Sequence, residues 1–182
     1  MVGTERRPSR RGRRTAVLLS TVLLVGAFGL DRWQERREVD ALLRCVTSAQ
    51  ADAVYADRRI LAAVQYTSPL LFRPSVPASL RASLEGLVQA AARETAPPLR
   101  VSRAACAAGT VLAWHDAQRR ARTRYLAYLD VRIDDLRGVG ADIDVLFAPH
   151  PDLERRLTVA RDAVLAAVPL DRAQRVRELL SP

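Results

Sequence analysis

Three side chains have the type and spacing to recognise an anion. His115, Arg119 and Arg122 follow one another at steps of four and three residues, so on a helix they share one face. Two forked guanidiniums and an imidazole suit a carboxylate or a phosphate, and Trp114 and Tyr125 supply aromatic flanks. The spacing predicts a polar notch for an anionic small molecule or peptide. A plainer arrangement competes with it: the buried face passes to Trp114, Ala117, Ala121, Tyr125 and Tyr128, and the arginines reach solvent. If the notch is buried it needs a carboxylate, and Asp52 or Asp57 is the expected partner, because an unpaired buried guanidinium is very costly.

Cys45 and Cys106 are the only cysteines, 61 residues apart. Neither CxxC nor Cys/His spacing is present, so they do not read as metal ligands. In an oxidising compartment they form a disulfide, worth about 4 kcal/mol on the chain-entropy model for so long a loop. In a reducing one they are two buried thiols.

Other constellations have ordinary explanations. Gln118 to Arg124 (QRRARTR) is basic enough to touch phosphates, but Asp116, Asp130, Asp134 and Asp135 nearly balance it, so no nucleic-acid partner is expected. Asp130, Asp134, Asp135, Asp142 and Asp144 gather acid near His150, yet the run lacks the glycine and terminal glutamate of a calcium loop, and Arg132 and Arg137 are interleaved. No metal or cofactor is expected. With two histidines, no glycine-rich phosphate loop, no GxSxG and no HExxH, the chain does not read as an enzyme.

The elements that must position these residues begin with a membrane-targeting pattern. Arg6, Arg7, Arg10, Arg11, Arg13 and Arg14 stand against Glu5 alone, giving five of the nine excess positive charges to residues 1–14. Thr15 to Leu30 is uncharged for sixteen residues and is closed by Asp31, Arg32 and Trp33. As a helix the run is roughly 24 Å long against a hydrocarbon core of about 30 Å; snorkelling by Arg13 and Arg14 and an interfacial Trp33 close most of the gap. The segment reads as an uncleaved signal anchor, with cleavage as a signal peptide near Gly26 and Ala27 as the alternative. Either way the arginine-rich flank stays in the cytoplasm and the remainder is exported.

Beyond it, Val39, Leu42, Val46, Ala49, Ala53, Ala56, Ile60 and Ala63 recur at helical steps, and no proline interrupts Thr15 to Tyr66. One continuous first helix is expected, ended by Pro69, Pro74 and Pro77 with a loop over 67–76. A second helix carries Leu80, Leu84, Leu87, Val88, Ala91 and Thr95 inward and stops at Pro97 and Pro98. Ser102 caps a third, running to Arg137 and closed by Gly138 and Gly140, so the cysteines would tie the first helix to the third. Pro151 and Asp152 open a fourth, with Leu153, Leu157, Ala160 and Val164 inward, and Asp171 with Gln174 has the spacing of a capping box for a short last helix carrying Val176, Leu179 and Leu180.

All 182 residues are encoded without lysine or asparagine, with 30 alanines and only 8 glycines. That composition favours helix over strand. The sequence therefore predicts an all-α chain: a cytoplasmic tail over 1–14, a transmembrane helix over 15–30 and an extracytoplasmic four- to five-helix bundle over 31–182. The expected role is protein interaction or envelope scaffolding by a single-pass bacterial membrane protein, with an unidentified protein partner. The alternative is a secreted or anchored module that binds an anion through His115, Arg119 and Arg122.

Overall fold

A computed structural model describes the backbone of residues 10–71, 77–112, 114–147 and 150–180, with side chains described from Thr21 onward and, at the end of the first helix, as far as Thr67. All regular structure among the described residues is helical: α1 (Arg10–Leu71), α2 (Ala78–Ala108), α3 (Asp116–Ala141), α4 (Asp144–Phe147), α5 (Pro151–Ala167) and α6 (Leu170–Leu179). The chain divides into two compact units, Met1–Arg37 and Glu38–Pro182.

In the first unit, the described side chains of α1 are held by local contacts. Arg32 pairs with Glu35 at 3.0 Å and lies over the Phe28 ring, and Arg37 lies over the Trp33 ring, each cation one turn beyond its aromatic partner. Val22, Leu23, Leu24, Val25, Phe28 and Leu30 are all exposed. The first six residues of the expected 15–30 anchor lie outside the described side chains, as does the whole 1–14 tail. Among the described residues, no helix is long and apolar enough to cross a membrane.

The second unit is built on the seam expected of α1. Val39, Leu42, Val46, Ala49, Ala53, Ala56 and Ile60 are all buried. Alanine at the middle of this row removes bulk, so a neighbouring helix can come close. Cys45 and Cys106 meet there with a Cα–Cα distance of 5.1 Å and form a disulfide.

The helix boundaries after α1 differ from expectation in instructive ways. α1 runs through Pro69 to Leu71, so the connection begins later than residue 67. Pro77 is the residue before α2, and α2 does not stop at Pro97 and Pro98 but carries both in its interior and ends at Ala108. The reason lies in the burial phase. Leu84, Val88, Ala91, Thr95, Leu99, Ser102 and Cys106 form one buried row at steps of three and four that passes the proline pair without slipping. The carbonyls that lose their donors belong to Arg93 and Glu94, both exposed, where solvent can replace the missing bonds. Leu80 and Leu87, expected inside, are exposed.

As a consequence Ser102 is a buried interior residue of α2, not a cap, and the disulfide ties α1 to α2. The break falls at Gly109, and α3 starts afresh at Asp116. α3 passes Gly138 and Gly140 and ends at Ala141; Gly140 is buried against the Arg93 stem, so it serves packing rather than termination. α5 opens at Pro151 as expected, burying Ala160 and Val164 with Leu153 and Leu157 partly covered. The Asp171 and Gln174 spacing does not make a capping box: Pro169 stands at the cap without a side-chain bond, and Gln174 instead donates to Glu178.

α3 is the central element, packed against both α2 and α5. It buries Ala121, Tyr125, Tyr128, Leu129, Ile133 and Leu136, the aromatic stripe over its first half and the aliphatic one over its second. The Tyr125 hydroxyl donates to the Val46 carbonyl of α1 at 3.3 Å, and Arg103 of α2 grips Asp130 of α3 through two bonds of 2.8 and 3.1 Å. α6 returns to α1, where Arg172 pairs with Asp40.

Candidate functional site

The residues nominated as an anion notch sit where α2 gives way to α3. His115 is not inside a helix; it is the residue before α3, and its carbonyl accepts the Arg119 amide at 3.1 Å. Its imidazole is buried, with Nδ1 2.6 Å from Oε2 of Glu38. The other carboxylate oxygen of Glu38 accepts the Leu112 amide at 2.9 Å. One buried acid on the first turn of the α1 seam thus holds the middle and the last residue of the connection between α2 and α3.

Arg122 approaches from the other side. Its Nε donates to the Cys106 carbonyl at 2.7 Å, and a terminal nitrogen donates to the same oxygen. This places a cation over the last turn of α2, where unpaired carbonyls and the helix dipole favour positive charge. Partial burial pushes the Arg122 pKa down, and the field of Glu38 opposes that shift. Gly109 lies directly under the guanidinium: a Cβ built there would overlap it. The backbone of Gly109 is extended, with φ −69° and ψ 146°, so any residue could adopt it, and a larger side chain here would have to displace the Arg122 guanidinium.

Arg119 does not join the group. It is exposed and pairs with Asp116 one turn earlier, on the first turn of α3. Trp114 is exposed, with its ring edge-on to His115 at 6.1 Å. The structure therefore brings His115 and Arg122 together around Glu38 and leaves Arg119 outside. A cavity of about 70 Å3 remains between Glu38, Cys45, Cys106, Gln118 and Arg122. It is well below the roughly 300 Å3 at which small-molecule sites begin.

The expected acidic partners of the notch serve elsewhere. Asp52 accepts the Ser102 hydroxyl at 2.5 Å, and Ser102 in turn lies 3.2 Å from the Ser48 hydroxyl, a polar stitch across the close α1/α2 contact. Asp57 pairs with Arg132, a mostly buried guanidinium of α3 that also donates to Asp135 at 2.9 Å. Burial pushes the Arg132 pKa down and Asp135 pulls it back up. His150 completes this second cluster, with Nδ1 3.2 Å from Asp135.

The acidic run is similarly engaged. Asp130 pairs with Arg103 and Asp134 with Arg137, and Asp142 accepts the Asp144 amide at 2.9 Å to shape the turn into α4. Among the described residues no three His, Cys, Asp or Glu side chains are grouped to share a metal ion.

Two site residues escaped the sequence reading. Glu38 resembles the solvent-facing charges beside the seam, yet it precedes Leu42 and Cys45 by four and seven residues and so begins the buried face itself. Arg132 is interleaved with the acidic run as Arg137 is, yet it lies four residues before the core position Leu136. Compared with known proteins, the chain matches no family model, no curated protein and no solved structure.

Proposed function

We propose that the chain is a single-pass membrane protein whose amino-terminal helix sits in lipid and whose exported helical bundle acts as an interaction or scaffold domain. The observation that carries this reading is the character of α1 between Val22 and Leu30. Val22, Leu23, Leu24 and Val25 are consecutive and point around the whole circumference of the helix, and with Phe28 and Leu30 each is more than 60% exposed. Apolar side chains exposed around the circumference of a helix are what a bilayer stabilises and water does not. The cation–aromatic pairs Arg32/Phe28 and Arg37/Trp33 follow at once, in the position of an interfacial belt.

The Cys45–Cys106 disulfide supports an oxidising compartment for the second unit. The arginine-rich residues 1–14 supply the orientation, with that end retained in the cytoplasm. For the bundle, a scaffold role fits side chains that are committed to one another: Glu38, His115, Arg122, Arg132 and Asp135 all spend their polar groups inside the fold.

A reporter fused after Pro182 tests the proposal, together with fractionation and mass analysis of the mature chain. Membrane-bound, full-length protein with an exported reporter supports it. A reporter active only in the cytosol overturns it, and a mature chain lacking residues up to about 27 replaces the anchor with a cleaved signal peptide.

A further inference from the structure

A groove between α1 and α6 is lined by three arginines, Arg44, Arg172 and Arg175. Arg44, Thr47 and Ser48 follow one another on one face of α1, and Arg172, Arg175 and Leu179 do the same on α6; together they enclose a groove of about 700 Å3. That volume is within the range of roughly 300–1,000 Å3 typical of small-molecule sites. Arg172 is committed to Asp40. Arg44 and Arg175 have no carboxylate or carbonyl partner among the described residues. Asp171 is the one carboxylate of the lining left to offset them. Leu43 and Leu179 provide apolar surface beside the cations.

We propose that this groove binds a small molecule carrying an oxyanion, a carboxylate or a phosphate, with a compact apolar portion. The guanidiniums of Arg44 and Arg175 take the oxyanion from opposite walls. Planar guanidinium forks match the oxygens of either group, the Thr47 hydroxyl supplies a further donor on the α1 wall, and Leu43 and Leu179 accept the apolar portion. The inference goes beyond the proposed membrane and scaffold role and does not depend on it.

The test uses the purified full-length chain in detergent with its disulfide intact, titrated separately with phenyl phosphate, benzoate and the neutral analogue benzamide. Saturable binding of at least one anion, with none of benzamide, is expected. Binding of phenyl phosphate alone assigns the site to phosphates, of benzoate alone to carboxylates, and of both to oxyanions in general. Arg44→Gln and Arg175→Gln should each weaken binding by about tenfold, the scale of one lost charge-assisted contact, whereas Arg177→Gln, on α6 but outside the groove, should leave it unchanged. Arg175→Lys keeps the charge without the fork and should fall between; circular dichroism confirms that each variant retains the fold. Absence of saturable binding by either anion, or binding that survives loss of both Arg44 and Arg175, overturns the proposal.

Discussion

Glu38 and His115 are 77 residues apart in sequence and 2.6 Å apart in space, both buried. The pair closes the connection between α2 and α3 onto the start of the second unit, and the Leu112 amide shares the same carboxylate. Removing the acid takes this acceptor from the buried His115 ring and the partly buried Leu112 amide, so the cost is set by desolvation more than by the bond itself.

Glu38→Ala is accordingly expected to destabilise the bundle by about 3 kcal/mol and His115→Ala by about 2 kcal/mol, with a coupling of about 1–2 kcal/mol in the double-mutant cycle. Denaturant unfolding of the oxidised protein measures all three. A cost for Glu38→Ala within about 0.5 kcal/mol of zero, the range of ordinary surface changes, would show that the pair contributes no net stability.

The proline pair gives a second expectation. Pro97 and Pro98 lie on the exposed face of a continuous α2. An interior helix proline is about 3 kcal/mol worse than alanine, partly offset by its restriction of the unfolded chain. Pro97→Ala and Pro98→Ala should therefore each raise the unfolding midpoint, by the equivalent of about 2 kcal/mol. A midpoint that does not rise would indicate a chain that already breaks at 97–98.

The disulfide carries a third. Cys45→Ser with Cys106→Ser should cost about 4 kcal/mol by relaxing a loop of 61 residues, read as a lower denaturant midpoint. Mass analysis without reductant should recover Cys45 and Cys106 in one linked peptide; free thiols at both positions would defeat this expectation.

Alkali provides a fourth. Burial, reinforced by the charge of Asp135, pushes the Tyr128 hydroxyl up to about 12, and burial pushes Tyr125 higher still. An unfolded tyrosine ionises near 10. Because the folded value is the higher one, the contribution of Tyr128 to stability is complete below about pH 10 and is lost as pH rises through about 12. Tyrosinate absorbance of these two rings should therefore appear together with loss of the helical signal. Their ionisation near pH 10 in a still-helical protein would contradict the burial.

Much of this fold could be read along the chain. The α1 seam from Val39 to Ile60 is buried position for position because its period is long, unbroken and amphipathic. The α2/α3 boundary lies eleven residues beyond Pro98 because proline is a local signal, whereas the phase of Leu84, Val88, Ala91, Thr95, Leu99, Ser102 and Cys106 is a regional one, and tertiary burial outweighs the missing amides. The site was half legible. His115 does meet a carboxylate, whereas Arg122 meets the Cys106 carbonyl, and which of 20 acids turns inward depends on where the helices end, so the need for a carboxylate did not by itself single out Glu38 over Asp52 and Asp57.

The covalent link between α1 and α2 also governs how the chain withstands cleavage. Any protease cut between residues 46 and 105 falls inside the loop closed by Cys45 and Cys106. The two products stay tethered as one molecule, and they separate on a gel only after a reductant has been added.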